Sequence, residues 1–303
     1  MSHVSPDGDA IGSLAGLGLA LRRLGKTVTM ACPTAPLPAS LSFIPGAGDV
    51  VSSVTGPFDL IIVLDCSDID RMEKLATPSL LAGKPLANID HHFTNTRFGT
   101  MNWVDSNAAA TSELALALVQ SLGVSLDQDI ATALLTGITT DTLSFSTSST
   151  TARTLRSAAD LMDAGASLPD IVEQVYNAKP LAVARIWGDA LHNLQAENGL
   201  VWTSVTTEML QRRQTDPDEV KGLVSFLRGT QGTHIAVLFI ENGENRIKVE
   251  FRGSRQANVA DLAARLGGGC HKAASGCTLP GPLAIVQQRV LNAARRALPY
   301  QER

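Results

Sequence analysis

Aromatic side chains are scarce. Phe, Trp and Tyr make up 4% of the 303 residues, too few for a long stacking groove along single-stranded nucleic acid. Positive charge is not in excess either: 25 Lys and Arg against 29 Asp and Glu leave a formal net charge of −4. That removes the global basic field behind non-specific duplex binding, so no stable duplex DNA partner is expected. A local basic pocket remains compatible with it. The four cysteines, Cys32, Cys66, Cys270 and Cys277, are scattered and lack the paired spacing of a thiolate metal site. Cys66 reads as a small buried residue. No apolar run is long enough to span a membrane and no signal-peptide pattern opens the chain, so the expected location is cytoplasmic. What the chain does have is core-forming material: 44% hydrophobic and 18% charged residues suit a globular protein of, most simply, two domains.

Periodicity supplies a coarse map. Ile11, Leu14, Leu17, Leu21 and Leu24 predict a helix that Gly25 ends. Residues 27–31 read as a strand, and the Pro-, Ser- and Gly-rich stretch 32–57 as loop. Leu60-Ile-Ile-Val-Leu64 reads as a buried parallel strand. A helical stretch near 71–81 follows, then a strand over 86–89, another over 98–104, and helices over 107–123, 127–138 and 150–164. Strand, helix, strand predicts an α/β domain over 1–178, doubly wound on a mostly parallel sheet. Asn177-Ala-Lys-Pro180 breaks the pattern and marks the boundary. Residues 179–195 read as a connecting helix. Residues 196–303 read as a smaller α/β domain, with strands near 200–205, 233–240 and 246–251 and helices over 217–227, 259–266 and 283–298.

Acids and histidines gather at the ends of these elements. His3, Asp7 and Asp9 precede the first helix; Asp65, Asp90-His91-His92 and Asp141 each follow an apolar run. Open α/β sheets place their ligands at such strand ends. Asp7-Gly-Asp9 taken alone fits a turn with a helix N-cap better than a ligand pair, and Asp141 alone fits a helix-end cap. Together they suit a cation site. Carboxylate and imidazole without thiolate favour Mn²⁺ or Mg²⁺ over structural zinc. Several acids about one point repel unless cations neutralise them. Two cations about 3.5–4 Å apart, sharing a carboxylate, would also clamp the oxygens of an in-line phosphoryl displacement. In the second domain, Gly267-Gly268-Gly269-Cys270-His271-Lys272 follows a helix. Glycine amides can approach an anion closely, and His271 and Lys272 add charge. Arg252 and Arg255, at a strand end, could reach the same anion or stack on a base. A flexible turn would look the same as the glycine run alone. His192 and His234 have no such company.

These segments resemble the motifs of a known family. His3-Val-Ser-Pro-Asp7-Gly-Asp9-Ala-Ile-Gly-Ser13, Val63-Leu-Asp65, Asn88-Ile-Asp90-His91-His92 and Gly137-Ile-Thr-Thr-Asp141-Thr resemble the four motifs of the DHH phosphoesterases. Residues 252–259 and Gly267 through Gly276 resemble the DHHA1 domain that accompanies them. The length is similar to that of the nanoRNase/pAp-phosphatase (NrnA) branch. The resemblance implies a two-manganese hydrolase, with Mg²⁺ or Co²⁺ as substitutes. One metal would be held by His3, Asp7 and Asp65, the other by Asp9, Asp65, His91 and Asp141, with Asp65 bridging. Asp90 would support from behind and His92 would contact the scissile phosphate. Arg252 and His271 would bind the nucleotide, with Arg255, Gly268, Gly269 and Lys272 beside them. Implied substrates are short oligoribonucleotides and 3′-phosphoadenosine 5′-phosphate; cyclic di-AMP or its linear product pApA is the alternative. A homodimer is compatible with the resemblance. A non-catalytic nucleotide binder is the reading from another class, and the complete acid–histidine set speaks against it.

Three departures from the pattern carry expectations. Only Met1 and Ser2 precede His3 where the family has a strand, which implies an open sheet edge and a start upstream. Leu143 stands where glycine is usual, so the loop after Asp141 is expected to differ in shape. Gly253 and Cys270 replace a usual Ser and Gly.

Overall fold

The computed structural model describes residues 1–177, 180–220, 222–243, 245–269 and 272–298. It divides into two compact units, Met1–Ala178 and Lys179–Arg303.

The first unit is built on three parallel strands, β1 (Ile61–Leu64), β2 (Leu86–Asp90) and β3 (Met101–Val104), in the order β1-β2-β3. Its helices are α1 (Gly8–Arg23), α2 (Pro78–Leu81), α3 (Thr111–Ser121), α4 (Gln128–Asp141), α5 (Ala152–Asp163) and α6 (Leu168–Val172). Alternation along β1 explains the layering. Ile61 and Val63 point into a cluster with Met72, Leu75 and Leu86. Leu64 joins the opposite cluster, with Ile11, Leu14 and Leu17 of α1, Leu114 of α3 and Leu134 of α4. Both faces of the sheet are therefore covered, as a parallel sheet requires. β3 is the exception: Met101 and Trp103 remain 50% and 40% exposed.

Two sequence expectations fail here. Residues 27–31 do not form a strand; only an isolated bridge joins Ala31 to Val51. Pro33 has no amide proton and cuts any ladder short. Nor is the edge beside β1 open at Met1 and Ser2. The Met1 amine donates to Ile62 O at 2.7 Å, Leu64 N donates to Met1 O at 2.9 Å, and Ser2 N donates to Ala31 O at 3.0 Å. These two residues lie between β1 and Ala31, and their backbone groups take up the edge.

The second unit begins with α7 (Leu181–His192) and carries a mixed five-stranded sheet, β4 (Gln195–Glu197), β5 (Leu200–Val205), β6 (Ile235–Glu241), β7 (Arg246–Gly253) and β8 (Ala274–Pro280), in sequential order. α8 (Thr207–Arg213), α9 (Leu223–Arg228), α10 (Val259–Ala264) and α11 (Leu283–Ala297) complete it. β6 is apolar throughout because both its faces are buried. Ile235, Val237 and Phe239 face α10 and α11. Ala236, Leu238 and Ile240 face α7 and α9. The sequence pattern did not reveal β4, α8 or β8. β8 (Ala-Ser-Gly-Cys-Thr-Leu-Pro) has weak strand propensity and forms by pairing along the whole of β7, from Arg246↔Pro280 to Arg252↔Ala274. Among the described residues, no helix is long and apolar enough to cross a membrane.

Candidate active site

Four segments of the first unit converge at the carboxyl ends of β1 and β2. Asp65 follows β1 with φ +57. For a residue other than glycine this left-handed conformation costs roughly 1–2 kcal/mol, and such strain marks functional positions. It turns the chain so that a buried carboxylate lies among three imidazoles. Asp65 Oδ2 lies 3.5 Å from His3 Nε2; Asp65 Oδ1 lies 3.7 Å from His91 Nε2 and 3.6 Å from His92 Nδ1. Burial pushes its pKa up, but the His3 hydrogen bond and the three rings outweigh burial and hold it well below the carboxylate range.

The first helix supplies two acids by different means. Asp7 is the N-cap of α1, accepting from Asp9 N at 3.1 Å and Ala10 N at 3.0 Å. The capping reading is right, and the same side chain still comes within 4.8 Å of ligand atoms of His3 and Asp65. Asp9 is fully buried. Its oxygens sit on the amino end of α3, accepting from Thr111 N at 2.6 Å and Ser112 N at 2.8 Å. Burial, then the charges of Asp65 and Asp141, push its pKa well above the usual value, against His91 and the Ser112 side chain.

Asp90 ends β2 and organises the two histidines. Its Oδ1 accepts from His91 N at 2.8 Å and lies 2.7 Å from His92 Nδ1, while Oδ2 accepts from Asn95 at 2.6 Å. A carboxylate in this position fixes the tautomer: His92 carries its proton on Nδ1 and turns Nε2 away. His91 is set the same way by the Ala108 carbonyl, 3.3 Å from Nδ1. Its Nε2 then faces Asp141 at 3.1 Å, Asp65 at 3.7 Å and Asp9 at 3.9 Å. Burial disfavours charge on this ring, yet the three carboxylates, Asp141 foremost, raise its pKa to about 10. His3 is raised too: the pull of Asp65 exceeds burial and the opposing Arg71 guanidinium.

Asp141 is the last residue of α4. Helix dipoles disfavour an anion at that end, so it is not a cap. Its place is explained by what it faces: its ligand atom lies within 4.8 Å of those of Asp9 and His91. The donors thus form two triads, His3–Asp7–Asp65 and Asp9–His91–Asp141, with Asp65 also grouped with His91 and His92. All the donors are oxygen or imidazole nitrogen. Concentrated acid, with the Asp7 and Asp9 carboxyls pushed up by burial and then by the charges of their acidic neighbours, fits divalent cations.

The loop after Asp141 takes a strained course. Leu143, Ser144 and Phe145 all have positive φ, +47, +56 and +63. Thr142 holds this turn: its hydroxyl accepts from Phe145 N at 2.9 Å and its carbonyl from Ser146 N at 2.8 Å. Branched side chains fit such backbone worst. Leu143→Ile should therefore be less stable than Leu143→Gly by about 1–2 kcal/mol, measured by chemical denaturation; equal midpoints would count against the strained turn.

Sequence reading missed Thr111, Ser112, Asn95 and Arg71. Thr111 both seats Asp9 and donates its hydroxyl to Asp65 Oδ1 at 3.0 Å. The Arg71 guanidinium lies 2.9 Å from His3 Nδ1. Nothing local signals these contacts, although Thr111 opens a helix, the place where amides are free for an anion.

In the second unit, Arg252 pairs across the sheet with Ala274, so Arg252, Arg255 and Lys272 share one end of the β7–β8 pair. Arg252 Nη1 donates to Phe251 O at 2.9 Å. Its buried Nε has no hydrogen-bond partner among the described residues. Arg255 and Lys272 are exposed. His271 lies outside the described residues. The glycine run differs from expectation. Gly267 N donates to Ala264 O, Gly268 N to Ala263 O and Gly269 N to Gly276 O. Those amides are committed within the unit rather than left for an anion. A Cβ on Gly268 would meet the backbone of Gly276 and Cys277. Gly253 is similarly confined: a Cβ there would lie 2.6 Å from Ala257 O.

Comparison with known proteins gives a consistent result. The model of the DHH family, N-terminal domain, matches residues 1–138, and that of the DHHA1 domain matches residues 202–298. A protein of Thermus thermophilus, named bifunctional oligoribonuclease and PAP phosphatase NrnA, is 34% identical over 98% of this chain and 89% of its own. The Bacillus subtilis protein of that name is 32% identical over 91% and 87%. The crystal structure of an exopolyphosphatase-related protein from Bacteroides fragilis superposes with a TM-score of 0.86 at 25% identity, covering 98% of this chain and 89% of that one. With its motifs converged on one site and both domain models matched in order, the chain belongs to the DHH/DHHA1 phosphoesterase family.

Proposed function

We propose that this chain is a manganese-dependent phosphoesterase of short oligoribonucleotides and 3′-phosphoadenosine 5′-phosphate. The observation that carries the reading is the pair of ligand triads, each with donor atoms within 4.8 Å, meeting around Asp65. His3, Asp7 and Asp65 would hold one cation; Asp9, Asp65, His91 and Asp141 would hold the other. Bound there, the cations would set positive charge against the phosphoryl oxygens and make water acidic enough to attack near neutral pH. Asp90 keeps the His92 proton on Nδ1, which leaves Nε2 to contact the phosphate. Thr111 and Ser112 hold Asp9, and Thr111 holds Asp65, so the carboxylates are positioned before any ligand arrives. In the second unit, Arg252, Arg255 and Lys272 would hold the nucleotide through their side chains, with Gly268 and Gly269 shaping the turn beside them. The names of the relatives from Thermus thermophilus and Bacillus subtilis support this choice of substrates.

A substrate series tests it. With Mn²⁺, the protein should release phosphate from 3′-phosphoadenosine 5′-phosphate and mononucleotides from a five-nucleotide RNA. Pyrophosphate should be left intact. Faster turnover of cyclic di-AMP or pApA than of either expected substrate would move the assignment to those dinucleotides. Tight nucleotide binding without turnover would replace the enzyme reading with a sensor.

A further inference from the structure

A pocket of about 260 Å³ lies in the second unit between the end of α10 and one face of α11. Its lining is Arg265, Leu266, Arg289, Asn292, Ala293 and Arg296. Arg289, Asn292, Ala293 and Arg296 are spaced i, i+3, i+4 and i+7 along α11, which puts them on a single stripe. Arg265 reaches the same space from the C-cap of α10. Three arginines therefore line one small pocket, and no acidic residue is among its lining.

Six other arginines of the second and first units stand against an acid. Arg22 pairs with Asp49, Arg23 with Asp127, Arg153 with Glu113, Arg212 with Glu208, Arg213 with Asp189 and Arg295 with Glu197. Among the described residues, Arg265, Arg289 and Arg296 form no such pair. Positive charge gathered around one pocket without an acid among its lining is self-repelling, and an anion would relieve it. The carbonyl end of α10 would repel an anion if left open. It is covered: Leu266 N and Gly268 N donate to Ala263 O, and Gly267 N donates to Ala264 O. That capping gives the close-packed glycine run a second consequence, since it leaves arginine as the dominant charge at the pocket.

We infer that this pocket binds a phosphate group, held by Arg265, Arg289 and Arg296 with the Asn292 amide as an additional donor. Guanidinium groups suit phosphate because they present paired donors to its oxygens. The volume is below the roughly 300–1,000 Å³ of ordinary small-molecule sites, so the ligand is the phosphate itself, free or carried on a nucleotide or an RNA strand, rather than an enclosed base. The site is separate from the acid–histidine cluster, and its test does not read hydrolysis.

Arginine modification by phenylglyoxal, followed residue by residue by peptide mass spectrometry on the full chain, tests this. Inorganic phosphate, AMP and a five-nucleotide phosphorothioate RNA form separate arms. Arg265, Arg289 and Arg296 should be protected severalfold, while Arg23 and Arg295, already paired with acids, should not change. Protection by phosphate or AMP identifies a free anion as sufficient; protection by RNA alone identifies the phosphodiester backbone. If no arm protects the three arginines more than Arg23, the site does not exist. A second measurement uses the double variant Arg289→Gln, Arg296→Gln, whose side chains are exposed and not needed for packing. It should lose the protection of Arg265; protection that persists would overturn the shared pocket.

Discussion

Asp65→Asn should reduce hydrolysis of a dinucleotide by about 10³-fold or more, equivalent to losing several kcal/mol of metal-derived stabilisation of the transition state. Asparagine is the informative substitution because it keeps the size of the side chain and tolerates left-handed backbone better than alanine does. The folded state should survive, with circular dichroism and unfolding cooperativity retained. What is lost is the charge that His3, His91 and His92 all face, and with it the carboxylate that the proposed function would have join the two cations. Near-native turnover of this variant would eliminate a mechanism with two cations bridged by Asp65.

Gly137→Ala is expected to damage both stability and activity, although residue 137 carries no chemistry. Gly137 lies where α4 meets α1 and α3. A Cβ there would collide with Ser112 Oγ and lie 2.6 Å from Asp9 Oδ1. Because Asp9 is also pinned to the amides of Thr111 and Ser112, α4 itself has to move. Overpacking of this kind costs about 2–3 kcal/mol, and displacing a ligand's support typically costs about 10–100-fold in metal affinity or activity. Gly188 is the control. It lies inside α7 with nothing within 4 Å of its Cβ position, so Gly188→Ala should stabilise by about 0.5–1 kcal/mol through helix propensity alone. The same substitution should thus have opposite signs at two helical glycines. A shift of the same sign and size at both sites would mean that the packing around Gly137 is not tight.

The helices and strands that the sequence made legible were those whose patterns come from burial. β6 and the strand ending at Asp90 are apolar because the sheets bury them, and α1, α4 and α11 carry an apolar stripe for the same reason. The elements that stayed hidden have another origin. β8 pairs because β7 offers a full ladder, and residues 27–31 stop at one bridge because their neighbours do not extend it. Short elements at an edge are decided by partners far along the chain, which local propensity does not encode.

For the site, the kinds of atom and their general location were readable from the sequence alone. Asp7, Asp9, Asp65, Asp90, His91 and Asp141 stand where apolar elements begin or end, and such positions face one end of an α/β sheet. The sequence could not say how the acids are held. Asp9 rests on amides more than 100 residues away, at Thr111 and Ser112. Asp141 occupies the unfavourable end of its helix because His91 lies 3.1 Å away. The glycines at 267–269 looked like an anion cradle, but the amides of Gly267 and Gly268 cap α10 and that of Gly269 pairs with Gly276 O. Chemistry is written in residue identity, which the sequence states directly. Position comes from backbone hydrogen bonds and close approaches between distant segments, and these exist only once the chain has folded.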